Sequence, residues 1–360
     1  MRIAIVSDAW APQVNGVVRS LEATIAVLQG EGHEVATITP DQFRTVPCPS
    51  YPEIRLAIAP RRGVARRLAG FDPDAIHLAS EGPLGRAARR WCQREGRGFT
   101  TSFHTRFPDY VAVRTGLPAD WIWPLMRRFH GAAERTFAVT ATLAAELRER
   151  GIGRVHRWPL GTDLTAFAPG VAPHPAMRGL AWPIQLSVGR VAIEKNLGAF
   201  LDTRVAGSKV MVGDGPALAA LRAAYPDVLF LGALRGAELA WAYAAADVFV
   251  FPSRTDTFGL VNIEALASGL PVAAYPVAGP LDIIGADGCG SHCGTRVIGA
   301  LDDDLGRAIE GALAADRDAC RAEAAHYGWD RCTAAFVDGL AVRGQGEATL
   351  RDTSAIEQRA

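Results

Sequence analysis

Long apolar runs and short-period repeats are missing from this 360-residue sequence. No stretch approaches the ~18 uninterrupted apolar residues of a membrane-spanning helix, and the segment after Met1 is too short for the apolar region of a signal peptide. We therefore expect a soluble globular protein that stays in the cytoplasm. With 49% hydrophobic residues, the chain can bury a large core without disulfides or metals. Its length predicts two domains of roughly 100–200 residues each.

Cysteine is scarce and scattered, which argues against a disulfide framework. The six cysteines are Cys48, Cys92, Cys289, Cys293, Cys320 and Cys332, and in a reducing compartment this pattern predicts free thiols. Cys289, His292 and Cys293 offer three metal ligands without a second pair nearby, so no metal is predicted.

Positive charge is unevenly distributed, and almost none of it comes from lysine. Lys195 and Lys209 are the only lysines among 38 basic residues, which draws attention to Lys195. Residues 55–135 hold 15 arginines against seven acids, although the formal net charge of the whole chain is zero. Such a basic segment predicts an anionic partner: a membrane surface, a nucleic acid or an acidic substrate.

Short apolar runs alternate with amphipathic stretches along most of the chain. The predicted strands are 2–7, 34–39, 75–78, 99–103 and 137–140 in the first half, and 184–188, 210–212, 228–231, 248–251 and 271–274 in the second. Apolar strands separated by helices indicate parallel sheets covered on both faces. The sequence therefore predicts an α/β fold with two doubly wound, Rossmann-like domains.

The alternation lapses at residues 158–183, where five prolines indicate a linker between the domains. The predicted domains are 1–165 and 181–328. Only helices are predicted after Asp302, and the polar segment 343–360 predicts a disordered tail.

Ligands of such sheets bind at the carboxyl ends of the strands, which selects the loops to inspect. The first strand leads to Pro12-Gln13-Val14-Asn15-Gly16, with no GxGxxG fingerprint. Its Asn-Gly turn before a helix favours an anion, although ordinary turns have the same pattern. His104 follows the strand 99–103 and could hydrogen-bond at a reacting group; a structural histidine is the alternative.

The second half carries a denser set of polar loop residues. Arg190 and Lys195 combine a guanidinium fork with a point charge in one strand-to-helix loop, which suits a diphosphate. Gly213-Asp214-Gly215 allows close approach of the backbone, or is simply a tight turn. In 251–272, backbone amides of Thr257, Phe258, Gly259 and Leu260 form an anion site at a helix start, while Asp256 and Glu264 can accept hydrogen bonds from a polyol.

In this order the motifs resemble those of retaining GT-B glycosyltransferases of family four, over about residues 1–342. The segments 12–19 and 102–108 are most similar to bacterial enzymes that glycosylate membrane lipids, including GDP-mannose-dependent α-mannosyltransferases and glucuronosyl or sulfoquinovosyl diacylglycerol synthases. The resemblance implies a GT-B fold, in which two Rossmann-like domains face a cleft and a C-terminal helix, about 329–342, crosses back to the first domain.

The resemblance also implies roles for single residues. Gly16 would meet the donor phosphate or sugar, and His104 would lie beside the anomeric centre. Arg190 and Lys195 would hold the diphosphate, and Glu264 the ribose. The family usually has glutamate at both ends of a Glu-x7-Glu motif, whereas this chain has the shorter Asp256. His104 and Asp256 are the predicted catalytic residues, and the shorter side chain leaves the sugar contact of Asp256, and so the donor sugar, open.

The implied activity is metal-independent transfer of a hexose from a nucleotide sugar to a membrane glycolipid or diacylglycerol-type acceptor, without a further cofactor. GDP-mannose is the favoured donor, with UDP-hexoses and UDP-glucuronate as alternatives. Two other functions stay open: a GT-B sugar-nucleotide epimerase, which needs no acceptor, and a non-catalytic binder of anionic lipid or nucleic acid. The Arg190/Lys195 pair and the Asp256/Glu264 loop disfavour the binder.

Two segments that mix arginine with apolar residues predict peripheral contact with an anionic membrane, at the cytoplasmic face of the inner membrane. The residues concerned are Arg61, Arg62, Arg66, Arg67, Trp121 and Trp123. A solvated arginine-rich helix is the alternative interpretation, and no nucleic-acid partner is expected.

Overall fold

The computed structural model describes residues 1–11, 16–48, 51–104, 106–168 and 170–344, without the side chains of 51–53, 110 and 113–115. The motif residues 12–15 and 105 and the tail from residue 345 therefore lie outside the described residues. The chain falls into two compact units: Met1–Pro159 with the segment that begins at Cys332, and Leu160–Arg331.

The first unit is built around a parallel sheet with the strand order β2-β1-β5-β6-β7-β8. Its strands, with an antiparallel hairpin formed by β3 and β4, are β1 (Arg2–Val6), β2 (Glu34–Ile38), β3 (Thr45–Cys48), β4 (Tyr51–Ala57), β5 (Ala75–Leu78), β6 (Thr100–Phe103), β7 (Arg135–Ala138) and β8 (Val155–Arg157). Its first six helices are α1 (Gly16–Gly30), α2 (Arg61–Phe71), α3 (Pro83–Arg94), α4 (Phe107–Thr115), α5 (Trp123–His130) and α6 (Ala141–Glu149). Ile3 and Ile5 are fully buried because helices cover both faces of this sheet.

The second unit repeats the architecture with the strand order β11-β10-β9-β12-β13-β14, again parallel throughout. Its strands are β9 (Ile184–Val188), β10 (Ser208–Val212), β11 (Leu229–Gly232), β12 (Val248–Phe251), β13 (Val272–Ala274) and β14 (Gly299–Leu301). Its helices are α7 (Leu197–Leu201), α8 (Leu218–Ala224), α9 (Gly236–Ala244), α10 (Leu260–Ala267), α11 (Ala278–Ile284), α12 (Leu305–Ala312) and α13 (Arg317–Ala324).

Each sheet has its topological switch point beside the first strand of its unit. β1 lies between β2 and β5, and β9 lies between β10 and β12. Loops at the carboxyl ends of the strands at such a point are the usual ligand-binding positions of doubly wound sheets. In the second unit these are the loops after β9 and β12, which hold Lys195 and Asp256.

The last helix, α14 (Trp329–Gly339), packs on the core of the first unit. Phe336 is fully buried, with ring centroids 4.9 Å from Trp158, 5.5 Å from Phe137 and 4.9 Å from His77. Beyond the helix, the backbone N–H of Arg343 donates to the carbonyl of Asp74 at 2.9 Å. The predicted tail thus begins with a residue that is bound to the first unit.

The predicted α/β class with two doubly wound parallel sheets is confirmed. Several short elements were not predicted, because they carry no apolar run long enough to mark a strand. In the hairpin of β3 and β4, Val46 and Pro47 are exposed, and β8 and β14 have only three residues each.

Candidate active site

The loops after β9 and β12 are joined at the switch point of the second sheet. Asn196, in the left-handed conformation at φ 53°, donates from its side-chain amide to the carbonyl of Pro252 at 3.1 Å. The hydroxyl of Thr255 donates to the carbonyl of Glu194 at 3.4 Å. These contacts hold the two loops against each other.

Lys195 and Asp256 form an ion pair across these loops. The Lys195 ammonium donates to both carboxylate oxygens of Asp256, at 2.6 and 2.8 Å. Both side chains are partly buried. The sequence assigned Lys195 to the diphosphate and Asp256 to the sugar as separate contacts, whereas the structure brings the two groups together. Arg190 is also partly buried, five residues before Lys195 in the loop after β9.

Gly213 closes the loop after β10 against the same region. It adopts φ 145°, its N–H donates to the carbonyl of Gly232 at 2.7 Å, and a Cβ here would overlap the carbonyl oxygen of Gly189. The neighbouring N–H of Val191 donates to the carbonyl of Asp214 at 2.9 Å. The two loops therefore approach at backbone distance because Gly213 carries no side chain.

Helix α10 begins directly after the loop that holds Asp256. Gly259 precedes it at φ 81°, where a Cβ would collide with Asn262 and Phe251. The Asn262 N–H donates to the carbonyl of Gly259 at 2.9 Å. The other N–H groups of a first helical turn lack acceptors within the helix and favour an anion. Thr257, Phe258, Gly259 and Leu260 lie at this end as predicted, with Phe258 and Leu260 buried.

Glu264 is a buried carboxylate in the middle of α10, with 2% of its surface exposed. Its Oε2 accepts a hydrogen bond from the Tyr243 hydroxyl at 2.9 Å. The Tyr243 ring lies between Phe167 and Phe249, at centroid distances of 5.5 and 5.7 Å. Sequence analysis missed Tyr243, because its contact to Glu264 spans 21 residues and two helices.

In the first unit, Asp8 ties the loop after β1 to the loop after β5. Its Oδ1 accepts from the N–H of Leu84 at 2.8 Å, and its Oδ2 accepts from the N–H of Gly85 at 3.2 Å and from the Ser80 hydroxyl at 2.9 Å. Burial raises the pKa of the Asp8 carboxyl, and these hydrogen bonds oppose the rise. Asp8 thus caps α3; sequence analysis did not single it out. Gly16 begins α1 and is exposed, beyond the undescribed part of this loop.

His104 follows β6, with its ring edge-on to Trp158 at a centroid distance of 5.3 Å. Burial lowers the pKa of His104 to about 4, and the negative charge of Glu81 only partly opposes this. The imidazole is therefore neutral at pH 7, and it can donate one hydrogen bond and accept another. A neutral ring suits contact with sugar hydroxyls rather than with the charged diphosphate.

Glu81 lies three residues beyond β5, next to this histidine. Its Oε1 is 3.1 Å from Nε2 of His130, a fully buried ring on α5. His130 Nδ1 lies 2.9 Å from the hydroxyl of Thr101. Glu81 and His130 are 49 residues apart in the chain, so no local motif in the sequence marks the pair.

The predicted membrane-contact residues divide into exposed and enclosed groups. Arg61, Arg62 and Arg66 are exposed on α2, and Trp121 is 68% exposed. Arg67 instead donates from Nε to the side-chain oxygen of Gln42 at 3.0 Å and lies over the Phe43 ring.

Trp123 corrects the predicted membrane contact. It is only 3% exposed and stacks on Phe103, with ring centroids 5.7 Å apart, so it cannot reach a bilayer. Within the described ranges, no helix is long and apolar enough to cross a membrane.

The Cys289–Cys293 segment is organised by a carboxylate instead of converging on one point. His292 Nδ1 lies 2.9 Å from Oε1 of the buried Glu323, and the Cys293 thiol donates to the carbonyl of Ala319 at 3.0 Å. Within the described part of the chain, no group of three or more His, Cys, Asp or Glu side chains is arranged to hold a metal ion.

Comparison with known proteins gives this arrangement a family. A model described as Glycosyltransferase Family 4 matches residues 14–166, and one described as Glycosyl transferases group 1 matches residues 183–313. The GDP-mannose-dependent alpha-mannosyltransferase of Mycobacterium tuberculosis is 37% identical over 312 residues, which cover 79% of this chain and 81% of that protein. The chain belongs to glycosyltransferase family 4. This confirms the resemblance inferred from the sequence motifs.

Other relatives of this glycosyltransferase carry different names. The Sulfoquinovosyl transferase of Arabidopsis thaliana is 30% identical over 89% of this chain and 69% of that protein. Among solved structures, sucrose-phosphate synthase from Thermosynechococcus elongatus superimposes with a TM-score of 0.73 at 20% identity, covering 98% of this chain and 99% of that one. Anabaena HepE, solved with UDP, gives 0.67 at 14% identity, covering 94% and 99%. These likenesses place the glycosyltransferase in the GT-B fold.

Proposed function

We propose that the enzyme transfers mannose from GDP-mannose, with retention of configuration, to a hydroxyl of a membrane lipid. GDP-mannose is chosen as the donor because the chain is 37% identical to a protein named GDP-mannose-dependent alpha-mannosyltransferase. Two further proteins of that name are 36% and 32% identical. The predicted residues of the donor loops are present in family order, apart from the Glu-to-Asp change at 256.

The donor is held by the loops of the second unit. Arg190, Lys195 and the amino end of α10 bind the diphosphate, because they place two cations and the N–H groups of a helix start at one edge of the sheet. Glu264, fixed by Tyr243, accepts the ribose hydroxyls. Asp256 contacts the sugar and also holds Lys195.

Negative charge grows on the diphosphate as the glycosidic bond breaks, so cations already in place stabilise the transition state more than the ground state. We assign this role to Arg190 and Lys195 and propose that no metal or further cofactor takes part. His104, neutral at pH 7, hydrogen-bonds to the transferred sugar.

The acceptor in this proposal is a glycolipid or a diacylglycerol-type lipid. Relatives named Alpha-monoglucosyldiacylglycerol synthase are 25% and 28% identical to this chain, and the exposed arginines of α2 suit an anionic bilayer surface. The enzyme would then work as a peripheral protein on the cytoplasmic face of the inner membrane.

A donor screen tests the proposal. GDP-mannose, UDP-glucose, UDP-galactose and UDP-glucuronate are each incubated with the enzyme, with and without a membrane-lipid extract, and release of the nucleotide and labelling of lipid are measured. We expect lipid-dependent release of GDP and a mannosylated lipid. Rapid release of free sugar without lipid would favour the epimerase instead, and binding without turnover of any donor would favour the non-catalytic alternative.

A further inference from the structure

Three neighbouring strands of the first sheet, β1, β5 and β6, are each followed by a titratable side chain. Asp8 follows β1, Glu81 follows β5 and His104 follows β6. The two oxygens of Asp8 accept three hydrogen bonds from Ser80 and the start of α3. His104 is a neutral ring with an assigned sugar contact. Glu81 takes no part in the proposed binding of the donor.

Glu81 is anchored through one oxygen only. A carboxylate accepts but does not donate, so Nε2 of His130 carries the proton of the 3.1 Å hydrogen bond to Oε1. Nδ1 of His130 lies 2.9 Å from the Thr101 hydroxyl, and the Thr136 hydroxyl lies 3.1 Å further on. His130 is completely buried, so this chain fixes the position of Oε1 from inside the sheet.

The second oxygen of Glu81, Oε2, is available to a ligand. The side chain is 18% exposed, and within the described ranges Oε2 makes no hydrogen bond. Burial raises the pKa of neighbouring Asp8, and the negative charge of Glu81 adds to that rise, which places the charge of Glu81 at this edge.

We propose that Oε2 of Glu81 accepts a hydrogen bond from the acceptor hydroxyl, and that the acceptor therefore presents an uncharged alcohol, the hydroxyl of a diacylglycerol or of a sugar, at this point. A fixed carboxylate attracts a hydroxyl proton and repels phosphate, so it disfavours both the donor diphosphate and a phospholipid headgroup. The inference rests on the proposed function, because it names the acceptor class of that transfer.

Over the whole reaction, the acceptor oxygen forms a bond to the anomeric carbon and the bond from that carbon to the diphosphate breaks. The diphosphate oxygen keeps the electron pair and receives the hydroxyl proton. Glu81 orients the hydroxyl, while His130 is a positioning residue that acts through Glu81.

Glu81→Gln tests the contact with little change in shape. The amide oxygen takes over the hydrogen bond from His130, which leaves the NH2 group where Oε2 was, and that group cannot accept from a hydroxyl. We expect kcat/KM for the lipid acceptor to fall roughly 10- to 100-fold, the range for a lost hydrogen bond to a charged group. The Kd values for GDP and for GDP-mannose should stay within about twofold, because the binding of neither involves the lipid hydroxyl.

Glu134→Gln is the matched control. Glu134 directly precedes β7, at the amino edge of the same sheet, and pairs with Arg154 at 3.2 Å, with half of its side chain exposed. Its substitution should leave all three measurements unchanged. Normal transfer to lipid by Glu81→Gln would overturn the inference, and so would a loss of GDP-mannose affinity as large as the loss of transfer.

The acceptor class is tested with wild-type enzyme and vesicles that contain dioleoylglycerol, monoglucosyl-dioleoylglycerol, phosphatidylinositol or phosphatidylglycerol. We expect transfer to the two neutral lipids and at least tenfold less to the two phospholipids. Transfer restricted to the phospholipids would overturn the inference but preserve the mannosyltransferase. Failure of the enzyme to bind GDP-mannose would refute the proposed donor, and transfer to none of the four lipids would overturn the acceptor in both proposals.

Discussion

Lys195 and Asp256 share two hydrogen bonds, so neither side chain acts on the donor alone. The carboxylate neutralises much of the charge that Lys195 offers to a diphosphate, and it fixes where the ammonium lies. An aspartate at this position therefore tunes the phosphate contact as well as the sugar contact. This revises the simple division into a sugar residue and a phosphate residue.

Asp256→Asn should separate the two effects. Removing a negative charge beside Lys195 should tighten binding of GDP severalfold at low salt, because the ammonium is no longer neutralised. Transfer of mannose should nevertheless fall at least tenfold, since the sugar loses a charged hydrogen-bond partner. Calorimetric titration with GDP at two salt concentrations and steady-state kinetics check both parts. Weaker binding of GDP would show that Asp256 mainly orients Lys195.

Lys195→Ala provides the opposite change. It removes the cation and leaves Asp256 as an unpaired negative charge near the phosphates. We expect GDP affinity to fall and turnover to drop by roughly 10²–10³, as when a group that stabilises developing charge is lost. Near-normal turnover would contradict the assignment of Lys195 to the diphosphate.

Tyr243→Phe removes a single hydroxyl from behind Glu264. The aromatic ring keeps its contacts with Phe167 and Phe249, so the fold should be retained. Loss of one hydrogen bond of ~0.5–1.5 kcal/mol predicts GDP affinity two- to tenfold weaker, with kcat nearly unchanged. Glu264→Gln should weaken GDP and GDP-mannose binding alike. Unaltered GDP binding in Tyr243→Phe would mean that the tyrosine has no part in orienting Glu264.

At the scale of the elements, the loop between β10 and α8 leaves no room for a side chain at Gly213. Gly213→Ala would place a methyl group on the carbonyl of Gly189 and would strain a φ of 145°. Gly236→Ala is the matched control, because Gly236 also has a positive φ, 52°, but no atom within 4 Å of the position that its methyl group would take. We expect urea unfolding to show a loss of at least ~2 kcal/mol for Gly213→Ala and only about 1–2 kcal/mol for the control. Equal losses would remove the steric argument.

Helix α2 presents Arg61, Arg62 and Arg66 to solvent, whereas Arg67 is bound to Gln42. Reversing the three exposed arginines to glutamate should abolish binding to phosphatidylglycerol vesicles, since each basic side chain near an anionic leaflet contributes ~1 kcal/mol. The control reverses the exposed Arg296, Arg307 and Arg331 of the second unit, with the same change in net charge. Binding that persists in 1 M salt, or equal binding to phosphatidylcholine vesicles, would contradict an electrostatic contact.

The sequence predicts those elements and site residues whose signal is local. Buried strands such as β1 and β12 appear as apolar runs, and the polar residues after them were found because strand ends are where ligands bind. Glu81 and Tyr243 were not identified from the sequence, because their partners, His130 and Glu264, are distant in the chain. Trp121 and Trp123 are the same residue type two positions apart, yet Trp121 is exposed and Trp123 is buried. Only packing against Phe103 distinguishes them.

For the molecule as a whole, two buried histidines make stability depend on pH. Burial holds the pKa of His77 well below its usual range and lowers that of His104 to about 4. In the unfolded chain both rings titrate at about 6.5, so below that pH the unfolded state binds protons that the native state excludes. For His104 this difference extends down to about pH 4. Stability is therefore complete above pH 6.5 and falls as the pH decreases, by about 1.4 kcal/mol per pH unit for each ring.

Urea unfolding between pH 7.5 and 5.0 measures this loss, in a window above the titration of most carboxylates. His104→Asn should reduce the dependence of the free energy of unfolding on pH by about 1.4 kcal/mol per pH unit, the contribution of one ring. Stability that is constant over this range would contradict the buried neutral rings.

The two units also differ in whether they are formed by one continuous stretch of the chain. Residues 160–331 form the second unit without interruption, whereas the first unit needs α14 from beyond that stretch. On the ribosome, the first unit must wait while 172 further residues are made, roughly 10–35 s at about 5–20 residues per second. During that interval the pocket around His77 and Trp158 lacks the ring of Phe336 and exposes apolar surface. The part synthesised first is thus completed last.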